Sequence, residues 1–237
     1  MSAPPATFDD AWQHASEVPG WCTREQAQAL WTAAAKLRPG AAVLEIGSHK
    51  GRSTVVLGEA MRSLGGTVYA VDPFIEGRLF GGKSTRVTFE ENIAGADLSD
   101  VVELHSDYST KLRPSWDKPF DLLYVDGKHD YWTCSDDFRW GVHLPEDGEM
   151  LVHDAYSSIG VTLSILVHVL GKSDWVYVER NGSLALFRRA RPSAADRLRV
   201  LREMPWWIRN VMVKVLLRLR LEPLTRVLGH RGKVDPY

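Results

Sequence analysis

The chain has 237 residues, of which 44% are hydrophobic and 25% charged, values typical of a soluble globular protein with a substantial core. No stretch approaches the roughly 18 uninterrupted apolar residues of a membrane span, and the first ten residues lack the basic and apolar regions of a secretory signal. A net charge of −1 and two cysteines, Cys22 and Cys134, without metal-type spacing give neither a nucleic-acid-binding composition nor a disulfide framework, so we expect a cytoplasmic protein.

The first predicted element is a helix over residues 17–37, preceded by an N-terminal extension of residues 1–16. Thr23 and Gln26 have the spacing of a capping box, and apolar residues then recur at helical intervals as far as Leu37. Pro39 and Gly40 end the helix.

An apolar strand over residues 41–46 then runs into a glycine-containing turn, from Gly47 through Ser48 to Gly51. Glycines let backbone N–H groups approach a ligand closely, and the following helix, residues 53–64, presents unpaired donors at its N-terminus. A second strand, residues 67–71, ends at Asp72, the position from which an acidic residue binds a ribose diol. These features predict a nucleotide-like cofactor, with an ordinary tight turn as the alternative. The dinucleotide fingerprint lacks its middle glycine here, which weighs against a nicotinamide cofactor.

The remaining pattern alternates strands and helices and predicts an α/β fold with a doubly wound, mostly parallel, seven-stranded Rossmann-like sheet. An Asn-Gly signal at residues 181–182 predicts a closing antiparallel hairpin, and we expect extra helices at both ends of the chain. A glycine-rich segment, residues 73–84, is interpreted as a mobile loop over the cofactor. The further predicted elements are a helix over 85–94, strands over 101–105, 120–125 and 148–152, a helix over 131–142, and hairpin strands over 175–179 and 183–187.

Polar residues follow the fourth and fifth predicted strands, where ligands sit in open α/β sheets. Asp126 and Asp154 offer two carboxylates, which indicates a hard divalent cation such as Mg²⁺, and His129 stands three residues beyond Asp126, where it is placed to accept a proton from a bound hydroxyl. The alternative interpretations are a helix cap or surface residue for His129, and capping or solvated strand ends for both aspartates.

Several of these segments together resemble the metal-dependent O-methyltransferase branch of the class I S-adenosylmethionine-dependent methyltransferases, which includes bacterial sugar and macrolide-sugar O-methyltransferases. The resemblance covers roughly residues 17–190 and rests on E-I-G-x-x-x-G-R-S-T, V-D-P-F, V-D-G-x-H-D-Y and G-E-M-L-V-H-D. It implies S-adenosylmethionine and Mg²⁺, or another divalent cation, as cofactors. The implied residues are Glu45, Gly47, Ser48 and Gly51 at the methionine end, Asp72 at the ribose, Ser106 and Asp107 at the adenine, Asp126, His153 and Asp154 at the metal, and His129, with Asp126, in catalysis. At position 153 relatives often carry an acidic residue, and an imidazole there suits softer metals than Mg²⁺.

The basic end of the chain is set apart by charge. Residues 1–187 carry 16 Lys and Arg against 26 Asp and Glu, whereas residues 188–237 carry 13 against 4. Within it, residues 205–221 predict a helix with an apolar stripe. One interpretation is peripheral membrane contact with Trp206 and Trp207 as anchors; the other is packing on the domain or in a homodimer. The acidic remainder of the chain argues against nucleic-acid binding.

The sequence therefore predicts a methyltransferase domain over residues 17–190 and a basic helical appendage over residues 191–237. The leading hypothesis is methyl transfer from S-adenosylmethionine to a hydroxyl of a sugar or glycosylated small molecule. One alternative is a metal-independent methyltransferase acting on a phenol or hydroxy-lipid, and a second is a nicotinamide-binding or non-catalytic Rossmann-like module.

Overall fold

A central sheet organises the protein, whose computed structural model describes residues 7–75, 82–171 and 174–231. The strands are β1 (Ala42–Ile46), β2 (Thr67–Val71), β3 (Val102–His105), β4 (Leu122–Val125), β5 (Glu149–Val152), β6 (Trp175–Asn181) and β7 (Leu184–Arg189). Their order across the seven-stranded sheet is β3-β2-β1-β4-β5-β7-β6. The first five are parallel, and β7 pairs antiparallel with both β5 and β6. The predicted doubly wound sheet with a closing hairpin is confirmed.

Helices cover both faces of this sheet. They are α1 (Phe8–Glu17), α2 (Arg24–Ala35), α3 (Arg52–Leu64), α4 (Lys83–Gly95), α5 (Ser109–Leu112), α6 (Tyr131–Phe138), α7 (Ile159–Leu170), α8 (Ala194–Arg202), α9 (Met204–Arg218) and α10 (Glu222–Thr225). No helix among the described residues is both long enough and apolar enough to cross a bilayer.

The central strands β1 and β4 are buried on both faces, which explains their nearly continuous apolar sequences. In β1, Val43 packs in one core with α2 and α3, whereas its neighbour Leu44 packs in a second core with α6 and α7. Because side chains alternate along a strand, each central strand contributes to both cores. This arrangement fixes the register of the strands and therefore the position of every strand end.

Three helical predictions need correction. The helix predicted over residues 17–37 is shorter, Arg24–Ala35, and begins after Thr23, which caps it with Gln26 as the capping box predicts. Residues 8–16 of the predicted extension belong to a separate helix, α1, whose Phe8 and Ala15 are buried in the core. The helix over 131–142 continues after Phe138 as a 3-10 helix, and the prediction for 205–221 ends at Arg218. Helix α7 has no counterpart in the prediction, whereas α8 lies within the predicted basic helical appendage, where no separate helix was delimited.

Two further predictions concern the loop after β2 and the hairpin turn. Residues 76–81 of the expected mobile loop lie outside the described residues. The hairpin turn falls on Gly182 and Ser183 rather than on Asn181 and Gly182, because Asn181 pairs with Leu184. The proposed boundaries of the methyltransferase domain and of the appendage stay predictions.

A buried carboxyl group on α6 makes stability depend on pH. Burial raises the pKa of Asp137 to about 7, against a hydrogen bond from the Ser109 hydroxyl at 2.6 Å. Its Oδ2 has no hydrogen-bond partner among the described residues. The folded protein therefore holds this proton more tightly than the unfolded chain, and stability is lost as the pH rises from about 4 to about 7.

We expect Asp137→Asn to remove this loss. The free energy of unfolding of the variant, relative to the parent, should rise by up to about 1.4 kcal/mol per pH unit within that interval and stay level above it. Urea unfolding below, within and above the interval measures this difference. Asp136→Asn is the control, because Asp136 is paired with Arg113 and Arg139 and its replacement should not stabilise at any pH. An Asp137→Asn effect that is independent of pH would contradict the prediction.

Candidate functional site

The parallel strands bring most of the predicted site residues to one edge of the sheet. Gly47, Asp72, Asp126 and the pair His153-Asp154 immediately follow β1, β2, β4 and β5, the strands nearest the centre. Ser106 and Asp107 follow β3, at the outer end of the same edge. Carboxyl ends of parallel strands are where open α/β sheets bind ligands. These strand ends form the candidate site.

The turn between β1 and α3 is pressed against the end of β4. Gly47 has a φ of +91°, its N–H donates to Val71 O at 2.8 Å, and a Cβ on it would lie 2.2 Å from the Asp126 carbonyl oxygen. A side chain therefore cannot be accommodated at position 47. Gly47 brings the glycine turn next to the segment that carries Asp126 and His129.

Glu45 lies beneath this turn, not in the cleft. Its carboxylate accepts hydrogen bonds from the hydroxyls of Ser53, at 2.6 Å, and Thr54, and burial raises the pKa of Glu45 to about 7 despite these bonds. The side chain is completely buried. This placement argues against the expected direct contact with the methionine end, and it makes Glu45 a support for the start of α3. Ser48 is likewise buried, and Gly51, the residue before α3, has a φ of +92°.

Asp72 connects the turn to the segment after β2. One carboxylate oxygen accepts from the His49 N–H at 2.8 Å, and the other accepts from the Phe74 N–H at 2.7 Å. Both donors have positive φ, +47° and +45° respectively, so these loops curve toward the carboxylate. A carboxylate has about four lone-pair sites. Each oxygen thus keeps acceptor capacity for the two hydroxyls of a ribose.

The predicted adenine contacts are less enclosed. Ser106 is exposed, while Asp107 accepts from the Tyr108 N–H at 2.7 Å and lies 3.2 Å from the Lys111 ammonium. The hydrogen bond from Tyr108 and the interaction with Lys111 lower the pKa of Asp107. Their roles toward an adenine stay predictions.

His129 lies between the two strand-end carboxylates. Its Nδ1 is 3.0 Å from Asp154 Oδ2, and its Nε2 is 3.7 Å from Asp126 Oδ1. Burial lowers the pKa of His129, but interactions with Asp126 and Asp154 outweigh burial and raise it overall. The imidazole is about half exposed, at 46%, so it is both held by carboxylates and accessible from the cleft. An imidazole that is oriented by carboxylates and accessible from the cleft has the properties of an acid–base group.

The carboxylates are fixed by neighbours that the sequence did not reveal. The Tyr124 hydroxyl donates to Asp126 Oδ2 at 3.0 Å, and the Ser157 hydroxyl donates to Asp154 Oδ1 at 3.0 Å. Burial raises the pKa of Asp154, but its hydrogen bond and charge interactions with His153, together with the charge of His129, hold it well below the usual range. Asp154 is therefore an ionised carboxylate. Tyr124 stands two residues before Asp126 and was recognisable only as a strand residue.

His153 is buried behind the carboxylates. Its Nδ1 lies 3.3 Å from Asp126 Oδ1, and its Nε2 lies 3.2 Å from Gln26 Oε1 on α2. Burial lowers the pKa of His153, but the charges of Asp126 and Asp154 raise it to about 9. Gln26 was identified only as a capping residue, because 127 positions separate it from His153. The pair joins α2 to the end of β5.

The predicted metal ligands do not fit a divalent cation as they are arranged. Both ring nitrogens of His153 face oxygen atoms, Nδ1 toward Asp126 Oδ1 and Nε2 toward Gln26 Oε1, so neither is directed at an open metal position. Asp154 is occupied by His129 and Ser157. Within the described ranges, no three histidine, cysteine, aspartate or glutamate side chains are grouped so that they could hold a metal ion. The arrangement suits proton transfer by paired carboxylates and imidazoles.

Comparison with known proteins identifies a family that matches the part of the chain that contains these residues. Residues 44–155, just under half of the chain, match the family described as "Methyltransferase domain". That range begins in β1 and ends just after Asp154, so it contains the glycine turn, Asp72, Asp126, His129 and both residues that follow β5.

Solved methyltransferases share the fold at low identity. The O-methyltransferase TomG of Streptomyces achromogenes, involved in tomaymycin synthesis and solved with S-adenosylmethionine, is 20% identical, with 77% of this chain and 89% of that chain covered and a TM-score of 0.56. The Bacillus cereus O-methyltransferase solved with S-adenosylhomocysteine is 17% identical, with 78% and 90% covered and a TM-score of 0.58. The S-adenosylhomocysteine-bound methyltransferase PaMTH1 of Podospora anserina is 12% identical, with 78% and 88% covered and a TM-score of 0.62.

Proposed function

We propose that this chain, in which residues 44–155 form a methyltransferase domain of the class I fold, transfers a methyl group from S-adenosylmethionine to a hydroxyl oxygen. The observation that carries the proposal is the contact between the glycine turn and the segment after β4, where Gly47 approaches the Asp126 carbonyl. It brings a cofactor-type turn next to an oriented imidazole. The solved neighbours with S-adenosylmethionine or S-adenosylhomocysteine give the same cofactor class.

Methyl transfer is an in-line displacement at the sulfonium carbon. The acceptor hydroxyl would lose its proton to His129 Nε2 as its oxygen forms the new bond to the methyl carbon, while the carbon–sulfur bond breaks and leaves neutral S-adenosylhomocysteine. Because Asp154 accepts a hydrogen bond from the Nδ1–H of His129, the lone pair of the neutral imidazole is on Nε2. The negative charges of Asp126 and Asp154 stabilise the imidazolium that forms. The proton afterwards leaves to water.

We propose a sugar or glycosylated small molecule as the acceptor. Trp21, 61% exposed, lies with its ring centroid 5.1 Å from that of His49 in the cofactor turn. An exposed indole offers a flat apolar surface against which the C–H face of a sugar ring can pack. A phenol or hydroxy-lipid would use the same surface, so a mass-spectrometric screen for gain of one methyl must contain all three classes.

Two versions of the chemistry differ in metal use. We favour the metal-free version because both carboxylates already have imidazole partners at or near the cleft. The Mg²⁺-dependent version implied by the sequence resemblance would require a cation to replace these partners. Activity that survives chelation supports the first version, and activity that is lost on chelation and restored by Mg²⁺ establishes the second.

Cofactor binding gives the first test. S-adenosylhomocysteine should raise the melting temperature of the protein, and NAD should not. Asp72→Ala should weaken S-adenosylhomocysteine binding by roughly 10–100-fold, the effect of losing hydrogen bonds to a charged group. Calorimetry measures the dissociation constant, and Asp100→Ala, in an exposed position before β3 at the other edge of the sheet, is the matched control. Binding of NAD in place of S-adenosylhomocysteine would overturn the proposal.

A further inference from the structure

Helix α9 presents an apolar stripe to solvent. The outer stripe consists of Ile208, Met212, Val215 and Leu219, which are 53%, 48%, 50% and 63% exposed. Their spacing of four, three and four residues places them on one side of a helix. A surface helix normally turns its apolar stripe toward the protein, so this orientation needs an explanation.

The opposite side of α9 fixes that orientation. Asn210 is buried and donates from Nδ2 to Tyr156 O at 3.2 Å, and Val213 is fully buried. The Arg180 guanidinium lies 3.9 Å from the ring centroid of Trp206, and the Arg209 Nε donates to Leu228 O at 2.7 Å. The helix thus cannot turn its outer stripe inward without breaking these contacts.

The tryptophans therefore do not serve as the anchors expected from the sequence. Trp206 and Trp207 are only partly exposed and pack against the second core, with Trp140 and Tyr177 among its members. Membrane contact through α9 would therefore use the outer stripe and not the tryptophans. Further apolar side chains are exposed on α8 and in the segment after α9, namely Leu198, Leu201, Leu221, Leu224 and Val227.

Exposed arginines stand before, within and after the segment that carries the outer stripe. Arg202, Arg218, Arg220 and Arg226 are exposed, and none of them forms an ion pair with the residues that the structure describes. The acidic residues of α8 and its C-cap are engaged, Asp196 in a capping box with Ser193 and Glu203 with Arg180. An apolar stripe with basic neighbours is the pattern of a helix that lies in the plane of an anionic membrane surface.

We propose that the outer stripe of α9, with these exposed arginines, docks on an anionic lipid bilayer. Charge favours this occupant over a second copy of the chain paired through the same stripe, because such pairing would bring two sets of arginines together. The remainder of the chain is acidic, with 26 Asp and Glu against 16 Lys and Arg in residues 1–187. Attraction at one end and repulsion at the other would orient the protein on the lipid surface.

Vesicle sedimentation with the full chain tests the proposal. The probes are vesicles of phosphatidylcholine alone and of an equal mixture of phosphatidylcholine and phosphatidylglycerol, at low and high salt. The parent protein should sediment with the mixed vesicles at low salt and remain in solution with the neutral ones. Ile208→Ser with Val215→Ser should weaken binding by more than roughly tenfold, and so should Arg218→Gln combined with Arg220→Gln and Arg226→Gln.

A matched control distinguishes a specific effect of the outer stripe from a general effect of removing exposed apolar side chains. Val142 and Val167 are 66% and 55% exposed and lie outside the appendage, so Val142→Ser with Val167→Ser should bind vesicles like the parent. Circular dichroism checks that all variants are folded. Three results would each overturn the proposal. The parent protein could stay in solution with the mixed vesicles, it could bind neutral and mixed vesicles equally well, or it could form an oligomer that dissociates when the outer stripe is changed.

Discussion

Replacing His129 with glutamine should lower the turnover number by roughly 10²–10⁴-fold, the range expected for loss of a general base. Glutamine keeps the length and polarity of the side chain but cannot accept a proton near neutral pH. It can still donate to Asp154, whose Oδ2 lies 3.0 Å from His129 Nδ1, so the carboxylate is not left without a partner. The rate is measured with the acceptor found in the screen. The reaction is quenched at successive times, and the methylated product is quantified by mass spectrometry.

The binding of S-adenosylhomocysteine separates a base from a structural role. The hydrogen bonds and ion pairs of His129 that the described residues show are with Asp126, Asp154 and Ser158 and not with the glycine turn, so the dissociation constant for S-adenosylhomocysteine should stay within a few-fold of the parent value. His143→Gln is the control, because His143 lies in the 3-10 helix after α6, away from the strand-end carboxylates. A variant at position 129 that retains the parent turnover number would show that another group removes the proton.

The sheet was predictable because each central strand is apolar on both faces. The β1 and β4 sequences are buried at every position, and glycine or aspartate follows each of these strands directly. A nearly continuous apolar segment, interrupted in β1 by Glu45 alone, that is followed by a glycine or aspartate leaves few other assignments in an α/β chain. The order of strand ends along one edge then follows from parallel pairing.

Helix α7 was missed because it lacks polar contrast. Ile159, Leu163 and Val167, at intervals of four residues, are exposed, while Val161 and Ile165 on the other side are buried. Apolar residues on both sides remove the periodic signal by which a surface helix is recognised. Helix α1 is a different case: Thr7 and Asp10 form a capping box that the sequence does contain, so its start was recognisable.

The site was predictable residue by residue but not in its pairings. Strand-end placement brought Asp126, His129 and Asp154 together as expected, since their positions follow from the sheet. The surroundings of His153 were not predictable, because they depend on contact with Gln26 from a distant helix and on the burial of the side chain in the folded protein. Long-range contacts of this kind decide whether a carboxylate faces a proton donor or is open to a metal, and the sequence alone does not contain them.

Gly47→Ala should destabilise the protein by about 3 kcal/mol or more and abolish binding of S-adenosylhomocysteine. Two causes add. The φ of +91° disfavours any L side chain, and the new Cβ would lie 2.2 Å from the Asp126 carbonyl oxygen and 2.5 Å from its carbon, which are backbone atoms of β4's C-terminal end and cannot rotate away.

Gly40→Ala separates these two causes. Gly40 also has a positive φ, +71°, but a Cβ there would meet no atom within 4 Å, so only backbone strain of about 1–3 kcal/mol should remain. Urea unfolding gives the free energy of each variant, and calorimetry gives the affinity for S-adenosylhomocysteine. Because the clash at position 47 would push the turn away from Asp126, we expect lost affinity in Gly47→Ala and retained affinity in Gly40→Ala. Equal affinities in both variants would mean that the close approach of the turn to β4 does not form the cofactor site.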